Sequence, residues 1–270
     1  METDEELETG YGPGTPPGDN LCNDYAQRLG DAFGALARAR GDVVHDDGTL
    51  MSSDRGSASP FGNVAVIRTP LDDEGWRRVT QQLADFYRPG PAGGYLVFSA
   101  WPTPDLTGAG FGRVGHPPLM WRPPAPIDFS VASPPGLEIR EVVDADTARD
   151  WEQVMVEGYP EPELQPFRPG CLLPVEALTA PGWRHWVGAL DGEPVATSSA
   201  YVSSTHVDVE FIATMPGARG RGVGRAMTAV ATHADPGLPA LLISSDLGRP
   251  VYEGLGYLPL LRFSLWIGHR

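Results

Sequence analysis

Between His206 and Ala234 the chain alternates, turns on glycine, and then repeats every three to four residues. Val207, Val209 and Phe211 fall on one face of an extended run and His206, Asp208 and Glu210 on the other, which is the two-residue period of a strand. Met215-Pro-Gly-Ala-Arg-Gly-Arg-Gly-Val-Gly224 follows. Val223, Met227, Val230 and Ala234 then mark the stripe of a helix that Pro236-Gly237 ends. A strand that passes through glycines directly into a helix commits the chain to an α/β layering, with one face of the strand on a core and the other on water or a cleft.

The loop itself has the chemistry of an anion cradle. Glycines let the main chain approach a ligand, successive N–H groups converge on its oxygens, and the helix start adds positive potential. Arg219, Arg221 and Arg225 add permanently charged, fork-shaped donors. The same string also reads as a glycine-rich turn with solvated arginines, so its context has to decide.

Composition narrows the context. With 35 acidic against 20 basic residues the net charge is −15, which disfavours nucleic acid as a partner, since that affinity comes from neutralising phosphates. All the basic residues are Arg, so an anion is held here by Arg or by main-chain N–H. Cys22 and Cys171 are too few for a disulfide framework or a zinc site, no His pair has ligand spacing, and no metal is expected. An acidic N-terminus and the lack of a long apolar run predict no membrane partner and a cytoplasmic location.

Residues 1–20 read as a disordered tail rich in Gly, Pro and acid. A helix is expected from Asn23, with Tyr25, Leu29, Phe33 and Leu36 on one face, followed by a turn at Asp46-Asp47-Gly48 and a loop from Ser52 to Pro60. Val64–Ile67 and Tyr95–Phe98 read as strands around a helix from Asp72 to Phe86. Prolines mark 123–136 as a linker, which divides the chain into domains at 21–122 and 137–270. Beyond it come a strand from Leu137, a helix from Thr147 to Gly158, a hairpin turning at Asp191-Gly192, a short strand Ala240–Ile243, a short helix from Arg249 to Gly254, and closing strands from Tyr257 to Ile267.

The strand, Arg219-x-x-Gly222-x-Gly224, the helix, the short strand and Tyr252-Glu-Gly-Leu-Gly-Tyr257 together resemble the GNAT superfamily of acyl-CoA-dependent N-acetyltransferases over about residues 137–270. The resemblance implies a central mixed sheet flanked by helices and splayed open between the strand ending at Thr214 and the strand at Leu241, with coenzyme A in the gap. It implies acetyl-CoA as co-substrate, contacted by Phe211, Ile212, Ala213, Thr214, Arg219, Gly220, Arg221, Gly222, Val223, Gly224, Arg225 and Ser245. Glu210 is the expected general base, with Asp208 second on the same face, and Tyr252 the expected donor to the departing thiolate. Each also has a plain reading, as a paired strand residue or a core anchor. The expected reaction is direct attack by a primary amine of a small molecule or peptide; a noncatalytic acyl-CoA-binding module and a GNAT-fold enzyme using another acyl-CoA are the alternatives. A homodimer stays compatible with the sequence.

Pro104-Asp-Leu-Thr-Gly-Ala-Gly-Phe111 overlays Pro250-Val-Tyr-Glu-Gly-Leu-Gly-Tyr257 at the proline, both glycines and the final aromatic. The halves therefore read as tandem GNAT-like domains, the first degenerate: it has Leu106 in place of Tyr252, lacks the Arg-x-x-Gly-x-Gly string, and closes with Leu119–Trp121. The acceptor is expected against Tyr159–Trp183, where Glu161, Glu163, Phe167, Trp183 and Trp186 serve equally well as cation binders or loop anchors.

Overall fold

The computed structural model describes residues 21–87, 93–128, 133–159 and 161–270. The expected tail at 1–20 and residues 129–132 of the linker lie outside the described residues. The first half runs α1 (Leu21–Arg40), β1 (Val43–Asp46), β2 (Leu50–Asp54), β3 (Asn63–Ile67), α2 (Asp73–Phe86), β4 (Tyr95–Ser99), β5 (Gly112–Gly115) and β6 (Pro118–Arg122). The second runs β7 (Leu137–Glu141), α3 (Ala145–Gly158), β8 (Trp183–Leu190), β9 (Glu193–Val202), β10 (Val207–Thr214), α4 (Val223–Thr232), β11 (Ala240–Ile243), α5 (Arg249–Glu253), β12 (Leu258–Arg262) and β13 (Ser264–Gly268).

Local chemistry sets most of these boundaries. Tyr25, Leu29, Phe33 and Leu36 are all buried, so the apolar stripe of α1 faces the core. Asp144 and Thr147 form a reciprocal capping box that starts α3. Asp191 and Gly192 both take positive φ, 53° and 84°, the conformation a two-residue β8–β9 turn demands. The expected loop from Ser52 is instead partly strand. Ser52 and Ser53 belong to β2, buried between β1 and β3, and small polar residues on both faces hide the alternation that identifies a strand.

Two mixed sheets result, in the orders β1-β2-β3-β4-β13-β5 and β12-β6-β11-β10-β9-β8-β7. Each half lends its last strand to the other. β6 pairs antiparallel with β11 and β12, and β13 pairs antiparallel with β4 and β5. Leu119–Trp121, expected to close the first half, thus lies in the second half's sheet, and the linker at 123–136 does not separate two closed sheets. Leu119 and Met120 are fully buried there, so parting the halves would open both sheets between inner strands.

The repeated octapeptide folds the same way twice. Ala109 and Phe111 N–H donate to the Leu106 carbonyl and Gly110 N–H to that of Thr107; Leu255 and Tyr257 N–H donate to the Tyr252 carbonyl and Gly256 N–H to that of Glu253. Gly110 and Gly256 share a left-handed conformation, with φ of 88° and 90°. These matching turns make the halves tandem copies in structure as in sequence.

Candidate active site

The site begins where the second sheet comes apart. β10 and β11 run parallel but pair only at Val207↔Ala240 and Asp208↔Leu241. A bulge drives the separation: on the β9 side Glu210 faces Ser199 and Ala213 faces Thr197, so one extra residue is inserted. Phe211 takes a φ of +54°, a conformation of order 1–3 kcal/mol for a bulky residue. Its surroundings hold it there. Its ring lies 5.6 Å from that of Trp151, 5.7 Å from Trp183 and 6.4 Å from Phe33, and its carbonyl accepts from Thr197 Oγ1 at 2.9 Å. In the first half the corresponding parallel pair is zipped over four partners, from Val64↔Leu96 to Ile67↔Ser99.

A cavity of ≈ 180 Å³ occupies the split. Glu210, Phe211 and Ile212 line it from β10, Ile243 and Ser245 from across the gap, and Tyr252 from α5. The first half supplies Phe33, Phe61, Val64, Leu96 and Phe98, and Met155 and Tyr159 complete the wall. Glu210 and Tyr252, two sequence-expected site residues 42 positions apart by number, thus meet at one cavity. Burial, reinforced by Asp208, pushes the Glu210 carboxyl well above the carboxylate range. Burial, then the Glu210 charge, pushes the Tyr252 phenol up to about 12, which keeps its proton as a donor.

Asp208, the second candidate base, is not a lining residue. It is fully buried, its Oδ1 accepts from Tyr25 Oη at 2.9 Å, and its Oδ2 has no partner among the described residues. Burial raises it to about 7, and the Tyr25 hydrogen bond pulls the other way. At Asp208 the polar face of β10 therefore meets neither water nor the cleft, because Tyr25 of α1 in the first half covers it. Nothing in the sequence pairs Tyr25 with Asp208, 183 residues apart.

The glycine loop lies at the outer end of the split. Gly220 and Gly222 have φ of +73° and +84°, and a Cβ on either would meet nothing within 4 Å, so both are open to a ligand. Gly222 caps α4 without a side-chain hydrogen bond, and the first turn of α4 has no acidic residue, which leaves its N–H groups facing out. A Cβ on Gly224 would come within 3.2 Å of Thr214 Oγ1, so this glycine lets α4 pack on the end of β10. By contrast α2, the equivalent helix of the first half, is closed by its own acids: Asp72 caps the Gly75 N–H at 2.7 Å, and Asp73 and Glu74 follow.

The three arginines separate. Arg219 donates to the Thr214 carbonyl at 3.1 Å and the Gly158 carbonyl at 2.7 Å, pinning the loop to the end of α3. Arg225 donates to the Gly254 carbonyl at 3.2 Å, tying α4 to the repeated turn. Arg221 is exposed and, among the described residues, has no ion-pair or hydrogen-bond partner. Ser245 lines the cavity and also caps the turn before α5, accepting from Gly248 N–H at 3.0 Å. The residues expected to hold an acceptor disperse. Trp183 and Trp186 are buried, with Trp183 Nε1 donating to the Ala32 carbonyl at 2.8 Å; Glu161 is buried against Ser59; Glu163 is exposed; none of these, nor Phe167, lines the cavity.

Residues 145–242 match the model of the Acetyltransferase (GNAT) family. The second half of the chain carries a GNAT acetyltransferase domain. Comparison with curated proteins finds no match. Solved structures with the same fold include a GCN5-related N-acetyltransferase from Kribbella flavida, 20% identical, covering 93% of this chain and 96% of that one at a TM-score of 0.64. They also include an acetyltransferase described as of the GNAT family from Novosphingobium aromaticivorans, 16% identical over 90% and 97% of the two chains at 0.57. A tandem GNAT protein from the clavulanic acid biosynthesis pathway is 13% identical over 92% and 96% at 0.52. These likenesses extend across both halves, so the whole chain shares the fold of these structures. Coenzyme A fits the open, glycine-lined start of α4 with Arg221 beside it, and does not fit the acid-capped start of α2.

Proposed function

We propose that this acyltransferase is an N-acetyltransferase using acetyl-CoA and a primary amine, with one working site in the second half. What carries the reading is that Glu210 and Tyr252 converge on one cavity in the β10–β11 split, below a helix start with no cap of its own. Main-chain N–H groups from Gly220 to Gly224, with Arg221, would hold the diphosphate. The bound thioester supplies an activated acyl group. Peptide N–H groups from Phe211 to Ala213, where the β9 register skips Phe211 and Ile212, are the candidates to face developing negative charge on a carbonyl oxygen.

The two side chains then divide the proton work. An amine enters as an ammonium ion and must lose a proton before its nitrogen lone pair is available. The Glu210 carboxylate takes that proton, and its elevated pKa, set by burial, makes it a stronger base than a solvated carboxylate. The Tyr252 hydroxyl, still protonated at neutral pH, is the donor for a departing sulfur. No nucleophilic side chain is needed. Cys171 lies outside the cavity with its thiol pushed up to about 11 by burial.

The test separates binding from chemistry. Coenzyme A titrated by calorimetry gives saturable heat, and acetyl-CoA with an amine panel releases thiol above hydrolysis. Glu210→Gln lowers kcat by about 10²–10⁴ while coenzyme affinity stays within about two-fold, as expected for loss of general base catalysis. Coenzyme binding without thiol release from any amine would instead make the protein an acyl-CoA-binding module.

A further inference from the structure

The lining of the cavity divides by origin. The second half brings polar groups, the Glu210 carboxyl and the Tyr252 phenol among them, and the charge of the first acts on the second. The first half brings Phe33, Phe61, Val64, Leu96 and Phe98, which carry no polar side-chain atom. Val64 and Leu96 are directly paired across β3 and β4, and Leu96 and Phe98 share a face, so this wall rests on a closed sheet. Phe33 stacks on Phe98 at 6.1 Å.

We infer that the cavity takes a primary amine carried on a single-ring apolar body, with the nitrogen at Glu210 and the ring against the wall built by the first half. The inference rests on the reading of Glu210 as the carboxyl that meets the acceptor. Size limits the number of rings. An apolar cavity of about 150 Å³ receives a benzene-sized ring and sites for drug-sized ligands run to about 300–1,000 Å³; this one measures ≈ 180 Å³ and is shared with the acyl end of the thioester at Phe211, Ile212 and Tyr252, which leaves no room for a second ring. Charge sets the number of nitrogens. Among the described residues Glu210 is the one acidic side chain in the lining, so a polyamine would bury a second ammonium without a partner. An amino sugar would likewise leave several hydroxyls facing phenylalanine and leucine, at about 1–3 kcal/mol for each unpaired group.

The mouth fits the same ligand. Phe61 from the first half and Tyr159 from the second are 37% and 45% exposed, and their rings meet edge to face at 5.3 Å. A ring bound beside this pair meets an aromatic side chain from each half. The degenerate copy thereby acquires a role: it has no anion cradle and no split, and it supplies the surface that selects the acceptor.

Direct binding tests this without requiring turnover. 2-Phenylethylamine, spermidine and glucosamine are titrated separately into the full chain, and each is then offered with acetyl-CoA in a thiol-release assay. The ring amine is expected to bind at least about ten-fold more tightly than either polar amine. Leu96→Trp, which fills the cavity, should weaken it at least ten-fold, with an unchanged far-ultraviolet spectrum as the check on folding. If that variant does not fold, the ranking on the unmodified chain decides alone. Equal or tighter binding of spermidine or glucosamine overturns the inference, as does ring-amine binding indifferent to a folded Leu96→Trp. Selective ring-amine binding without thiol release would sustain the ligand class while sinking the transfer reaction; turnover confined to the polar amines would do the reverse.

Discussion

Replacing Asp208 with Asn should change how stability depends on pH, with a sign that the structure fixes. Asp208 is fully buried, one oxygen on Tyr25 Oη and the other without a partner among the described residues, and burial raises it to about 7. An unfolded Asp titrates near 3.9. Between those values the folded chain holds a proton that the unfolded chain has released. Stability contributed by the protonated group is therefore full below about pH 4 and is lost as pH rises through 7. One proton corresponds to about 1.4 kcal/mol per pH unit, so the whole window is worth on the order of 4 kcal/mol and the part between pH 5 and 7 about 3 kcal/mol. Asn keeps the acceptor for Tyr25 and removes the titration. Melting curves at half-unit steps from pH 5 to 8 should show Asp208→Asn gaining on the unmodified protein by about 6–12 °C across that range, at about 2–4 °C per kcal/mol. Tyr25→Phe should move the other way, because its hydrogen bond holds the Asp208 value down. A difference between Asp208→Asn and the unmodified chain that stays constant with pH would refute the linkage.

Other consequences are simpler to check. Gly222→Ala puts a Cβ on a residue at φ +84°, about 1–2 kcal/mol of strain that the loop relieves by leaving this conformation, and should weaken coenzyme A by about 5–30-fold by calorimetry. Arg219→Ala and Arg221→Ala should diverge: the first loses bonds to Thr214 and Gly158 and lowers the melting temperature, whereas the second leaves melting alone and weakens the coenzyme. In kcat/KM against pH, activity should climb as Glu210 loses its proton, along a limb above the usual carboxylate range that Glu210→Gln abolishes. Tyr252, at about 12, should set no basic limb below about pH 10.

Much of the second half was legible because local patterns and global structure agree there. The β10 alternation, the glycine loop and the α4 stripe lie within 29 consecutive residues, and each answers to short-range rules. Glu210 and Tyr252, singled out by their place in a motif, line one cavity. The split itself depends on Phe211 adopting positive φ, which a phenylalanine gives no sequence sign of and which three rings from α1, α3 and β8 enforce. Arg219 also has a tertiary part that its residue type does not announce, since it donates to the Thr214 and Gly158 carbonyls.

The sequence by itself determined what is periodic or covalently adjacent: which segments are strands and helices, that the octapeptide recurs, and that a glycine-rich loop follows β10. Only the tertiary structure decided that the halves exchange their last strands, that Tyr25 reaches Asp208, and that Phe33, Leu96 and Phe98 wall the cavity beside Glu210. The physical reason is range. Backbone propensity and capping act over a few residues and leave their mark on neighbouring positions, whereas side-chain packing and burial-driven pKa shifts depend on whichever distant groups the fold brings within a few ångströms.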